Sequence, residues 1–175
     1  MIATRGPQQF AALAIFSWLL GSNPAFADDV IAHPCALLSD RTASTATHQA
    51  MAVSEQTTRM GVGQCGWTPG GKSMMDLVSL PRALTIQLNV HKKDTAEYWD
   101  HLSDKFAKPS EVGGTAVPGL GDHSIWKPEE RQSVLVVQKG DYDVDLTFQV
   151  WTPQTPPITL AQATTIAQEA LSHLP

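Results

Sequence analysis

Charge is scarce in this chain, and cysteine scarcer. Of 175 residues, charged side chains make up 17%, against about 25% in an average soluble domain. There are two cysteines and two tyrosines. Basic residues are outnumbered, 12 Lys+Arg to 17 Asp+Glu, for a formal charge of −5. With a pI near 5.6 the chain has no basic footprint for a phosphate backbone, so no nucleic-acid partner is expected. Nor is there an apolar run of the roughly 20 residues that a membrane-crossing helix needs; the longest, Phe10 to Leu20, is too short. The six histidines, His33, His48, His91, His101, His123 and His173, lack metal-ligand spacing, so neither metal nor cofactor is expected.

What is present is enough apolar material, 42%, for a buried core, and a length that suits one domain. The first 27 residues read as an address. Arg5 is the only charged side chain before Asp28, the apolar run ends at Leu20, and Gly21-Ser22-Asn23-Pro24 breaks the helix. Ala25-Phe26-Ala27 then places small residues at the −3 and −1 positions of a cut. Charged start, apolar stretch and A-x-A site describe a secretory signal peptide cleaved after Ala27. The expected exported domain is 28–175, in the periplasm or outside the cell. A lipid anchor on Cys35 is not expected, because Ala32-His33-Pro34 precedes it and the apolar run lies well upstream.

Both cysteines, Cys35 and Cys65, fall in that exported part. An exported protein with two cysteines most simply pairs them. Closing a loop of about 30 residues adds roughly 3–4 kcal/mol in the chain-entropy model. Two buried thiols, or a reactive cysteine with a histidine base, are the alternatives; neither cysteine sits in a CxxC pair or a nucleophile motif.

The hydrophobic pattern assigns elements. Pro34 opens a short helix, and Ser39 caps a second turn through about Thr47. Met51 to Gly63 is ambiguous, with Val53, Met60 and Val62 as its expected buried residues. Cys65-Gly66-Trp67 reads as a short strand ended by Pro69-Gly70-Gly71. Leu84 to Val90 alternates strictly, the mark of a half-buried strand. Asp94 and Glu97 start a helix carrying Trp99, Leu102 and Phe106 on one face. Val134 to Gln138 turns at Gly140-Asp141 into a returning strand with Tyr142, Val144, Leu146, Phe148 and Val150 on one face. Asp143, Asp145, Thr147, Gln149 and Trp151 occupy the other, expected to be solvated. After a proline-rich connector, Thr159 and Gln162 cap a last helix with Leu160, Ala163, Ala167, Leu171 and Leu174 as its stripe. Strands in runs, joined by hairpins and flanked by helices, predict one α+β domain: a mainly antiparallel sheet with helices packed on it.

Several motifs match in letters alone. Gly61-Val62-Gly63-Gln64-Cys65-Gly66 is G-x-G-x-x-G, but a strand and a Pro-Gly-Gly turn follow where a dinucleotide site needs a helix. Gly66 to Ser73 fits G-x-x-x-x-G-K-S, yet Pro69 removes one of the N–H groups a phosphate cradle uses. Asp141, Asp143 and Asp145 open like a calcium loop that then has Leu146 and Thr152 where Gly and Glu belong. No nucleophile, base and orienting group assemble, so no catalytic residue is named, although residues far apart in sequence can converge in a fold.

The loop Val112 to His123, rich in glycine, is the segment with a choice of roles. It is a structural turn, or one wall of a binding surface made by Gly119 and Gly121 with Trp126, Trp67 and Trp151. Pro34-Cys35-Ala36-Leu37-Leu38, Cys65-Gly66-Trp67, Val117-Pro118-Gly119-Leu120-Gly121-Asp122, the Lys139-Gly140-Asp141 turn and an Ala-rich last helix ending in Leu-Pro occur in that order. Together they resemble exported, often lipid-anchored bacterial domains of unknown function typical of actinobacterial envelopes. The resemblance implies a disulfide between the two matching cysteines, a compact α+β domain, and no catalytic residues to carry over. The expected function is a non-catalytic exported binding module, its partner an envelope component, a small apolar ligand or another exported protein. An inhibitor or immunity-type partner of a secreted hydrolase is the alternative, and an enzyme the third.

Overall fold

The computed structural model describes residues 30–92, 110 and 113–175. The expected signal peptide and the helix expected from Asp94 lie outside these residues.

Alternation of apolar and polar residues dictates most of what is seen. The described residues form seven antiparallel strands: β1 Met51–Arg59, β2 Val62–Pro69, β3 Leu84–Lys92, β4 Thr115–Ala116, β5 His123–Lys127, β6 Gln132–Lys139 and β7 Tyr142–Val150. They join one sheet in the order β1-β2-β3-β7-β6-β5-β4. Two meanders, β1 to β3 and β4 to β7, therefore meet at the β3–β7 ladder, where Leu88 stands opposite Leu146. Ile86, Leu88 and Val90 share one face with Val144, Leu146 and Phe148, and the register continues that face to Leu135, Val137, Cys65 and Trp67. All are buried.

Helices cover that face. A 3-10 turn, Pro34–Leu37, and the helices α1, Asp40–Thr47, and α3, Leu160–Ser172, pack there, while the four-residue α2, Met74–Leu77, lies between β2 and β3 in the chain. Ser39 accepts a hydrogen bond from the Thr42 N–H at the start of α1. Thr159 and Gln162 form the reciprocal capping box that their spacing predicts at the start of α3. Ala163, Ile166, Ala167, Ala170 and Leu171 are the buried side of α3, but Leu160, expected in that stripe, is 37% exposed. Cys35 and Cys65 are disulfide-bonded, which fastens the 3-10 turn to the core face of β2.

The ambiguous stretch after Met51 is β1, an edge strand. Its hairpin to β2 turns at Met60 and Gly61, both at positive φ (52° and 76°), and Arg59 pairs with Val62. Val53 and Met60, expected to be buried, are instead 41% and 86% exposed: one lies on a strand that, among the described residues, has a neighbour on a single side, the other at the tip of a turn. The G-x-G-x-x-G letters run through this turn into β2, with no helix behind them. The Gly66 to Ser73 stretch is the end of β2, a turn, and the residue before the four-residue α2.

Candidate functional site

The same alternation that fills the core on one side sets polar side chains on the other. On β3 these are Thr85, Gln87, Asn89 and His91, interleaved with the core residues. Register then aligns polar residues across four strands: Thr57 pairs with Gln64, Gln64 with Asn89, and Asn89 with Asp145. The row is joined by side chains. Thr57 Oγ1 donates to Gln64 Oε1 at 3.2 Å, and Gln64 Nε2 donates to Asn89 Oδ1 at 3.1 Å. Gln87 Nε2 donates to the same Asn89 oxygen at 3.4 Å. His91 Nε2 lies 3.5 Å from Asp145 Oδ2.

These groups line a hollow of about 460 Å³, completed by Arg59, Val62 and Met60 at its β1 end. An amide side chain carries two donors and two lone pairs, so the bonds above leave the Asn89 amide nitrogen, the Gln87 oxygen and one Gln64 hydrogen with capacity. Asp145 Oδ1 is buried with no hydrogen-bond partner among the described residues. Leaving such an oxygen unsatisfied costs on the order of 1–3 kcal/mol. A carboxylate beside an imidazole can orient the ring. Arg59 supplies an exposed guanidinium, with five donors in a planar fork.

This arrangement corrects one expectation. The face bearing Asp143 and Asp145 is not simply solvated: Asp143 is fully buried and the Asp145 side chain is 14% exposed. Asp141, in the turn, is the exposed member of the three.

The residues singled out for partner contact are not brought together. Trp67 is fully buried on the core face, and its Nε1 donates to Asp40 Oδ1 at 3.0 Å, tying α1 to β2. Trp126 is buried on β5 against Phe148, with ring centroids 6.3 Å apart at 59°. Burial leaves neither indole a surface with which to meet a partner in this fold; both serve packing. Trp151 is half-buried on the polar side, its Nε1 donating to Thr85 Oγ1 at 3.1 Å. It borders a separate hollow of about 340 Å³ with Arg131 and the proline-rich connector. Gly119 and Gly121 lie in a loop around a smaller hollow of about 160 Å³ between Ala116 and Ser124.

Sequence reasoning missed the polar row. Its one local signal is the Gln87 and Asn89 pair on the polar side of an alternating strand. Thr57, Gln64 and Asp145 join it only through register, which no spacing rule encodes. Among the described residues no group of three or more His, Cys, Asp and Glu could hold a metal ion, and no helix is long and apolar enough to cross a membrane. No family model, curated protein or solved structure matches this chain.

Proposed function

We propose that the chain is an exported, non-catalytic binding module, and that the hollow on the polar side of the sheet is where it takes a small ligand. The observation that carries this reading is the row Thr57, Gln64, Asn89 and Asp145 lining one cavity, with hydrogen-bonding capacity left on the amides of Gln64, Gln87 and Asn89. Its volume lies in the range of about 300–1,000 Å³ usual for small-molecule pockets. The ligand has hydroxyl or amide groups for the Gln and Asn side chains and a donor for Asp145. An apolar part lies against Val62 and Met60. The signal-like first 27 residues and the Cys35–Cys65 disulfide support export.

Native mass spectrometry of the full-length gene product, purified from its own exported fraction, tests the reading. The expected result is a reproducible added mass of a few hundred daltons, lost in Asn89→Leu and Asp145→Asn variants that keep the wild-type melting temperature. Release of that compound chemically unchanged supports binding without catalysis. A bare protein mass, or an adduct that both variants retain, overturns it.

A further inference from the structure

Strand β1 ends the sheet on one side, and from Val53 to Met60 every residue is exposed. The opposite edge, β4, is two residues long. An edge of nine residues is the kind that natural proteins cover or blunt. Here the hairpin geometry fixes which main-chain groups face outwards. Arg59 and Val62 close a two-residue turn, so they exchange hydrogen bonds with each other, as do Thr57 and Gln64 two positions on. Alternation leaves the N–H and C=O of Gln56 and Thr58 pointing away from β2. The side chains of these two are turned onto residues 30–32: Gln56 Nε2 donates to Ala32 O and Thr58 Oγ1 to Ile31 O, each at 3.1 Å. Among the described residues, no loop or turn hydrogen-bonds their outward-facing backbone.

Glu55, Thr57 and Arg59 project to the polar side, opposite Gly66, Gln64 and Val62 of β2. That order of charges is self-complementary. If a second β1 lies antiparallel with its two-fold axis at Thr57, Glu55 of each copy falls opposite Arg59 of the other, and Gln56 opposite Thr58. Gln56 and Thr58, whose main-chain groups face outwards, then form the hydrogen-bonded pairs, and the two Thr57 residues form the closer non-hydrogen-bonded pair at the centre. Shifting the register by two residues separates the ion pairs and sets charge against neutral side chains. The bulge between Val53 and Glu55 ends the regular edge on one side, and the Met60-Gly61 turn ends it on the other, so the segment able to pair is Glu55 to Arg59.

We propose that β1 is an interface for a second copy of this chain, paired antiparallel through Glu55–Arg59 into one continuous sheet. The polar hollows of the two copies then lie on the same side of that sheet, with Glu55 of each copy beside Arg59 on the rim of the other's hollow. The inference does not depend on what the hollow binds.

Sedimentation equilibrium on the disulfide-bonded exported domain, in low salt, reads the assembly directly. The expected result is a concentration-dependent dimer. Glu55→Arg or Arg59→Glu sets like charges opposite at both symmetry-related pairs and weakens the dimer roughly tenfold or more, and the double reversal Glu55→Arg/Arg59→Glu restores it. Thr57→Cys forms a dimer-sized disulfide under mild oxidation, and Thr45→Cys, at an exposed position of α1, does not. Circular dichroism confirms that each variant is folded. A monomer at every concentration overturns the proposal, as does a dimer that the single charge reversals leave unchanged.

Discussion

Gly119 and Gly121 stand two positions apart in one loop, both at positive φ (78° and 65°), and the fold asks different things of them. A Cβ on Gly119 would meet nothing within 4 Å. On Gly121 it would run into the carbonyl oxygen of Gln138 and, at 2.6 Å, into Val137 Cγ1. The same Gln138 oxygen accepts the Asp122 N–H at 2.7 Å, and Asp122 Oδ2 accepts the Gly140 N–H at 2.7 Å. The loop is thereby stitched to the β6–β7 turn. Gly119→Ala is expected to cost about 1 kcal/mol, from backbone conformation alone. Gly121→Ala is expected to cost about 2–4 kcal/mol, because backbone must also move. Urea denaturation of both variants checks this; equal losses would mean that the loop yields freely at Gly121. For this pair the turn role of the loop was readable in the glycines themselves, whereas the difference between them depends on a strand further along the chain.

Between elements, the contact of α3 with the start of α1 carries a titratable group. Glu169 Oε1 accepts the Ser39 N–H at 3.3 Å. Burial pushes the Glu169 carboxyl up, but hydrogen bonds from the Thr42 and Ser39 side chains and the Ser39 N–H, with His173 nearby, outweigh it and hold the carboxyl below its ordinary range. A carboxyl with a lower pKa folded than unfolded adds stability above its unfolded value, near 4.3, and that stability is lost as pH falls through the folded value. Glu169→Gln should therefore flatten the acid-side decline in stability and lower stability at neutral pH. Urea midpoints for both proteins from neutral to acid pH measure it, and parallel curves would exclude the role. The elements themselves were unevenly legible. The β6–β7 hairpin and the capping box of α3 follow from local letters, since two turn residues or one Thr-Gln spacing suffice. Strand β1 does not, because Val53 to Arg59 buries too little to show a two-residue period.

At the scale of the molecule, the disulfide joins the 3-10 turn ahead of α1 to the middle of β2, across a sequence separation of 30. Its main effect is on the unfolded chain, whose freedom it reduces. The Cys35→Ala/Cys65→Ala variant is expected to keep the fold and lose about 3–4 kcal/mol. Calorimetric unfolding of the oxidised wild type beside the variant measures the difference; equal melting temperatures would show that the bridge adds nothing to the packing that already buries Leu37 and Leu38.

The α+β class, the antiparallel hairpin, the caps at Ser39 and Thr159 and the pairing of two cysteines are properties that short stretches of this sequence determine alone, because each rests on neighbours within a few residues or on there being one possible partner. The tertiary structure decided the rest. It sent Trp67 and Trp126 into the core, buried Asp143, and placed Thr57, Gln64, Asn89 and Asp145 in one row. Those outcomes depend on strand order and register, which are set by the summed packing of the whole sheet on its helices, and no local pattern contains that sum.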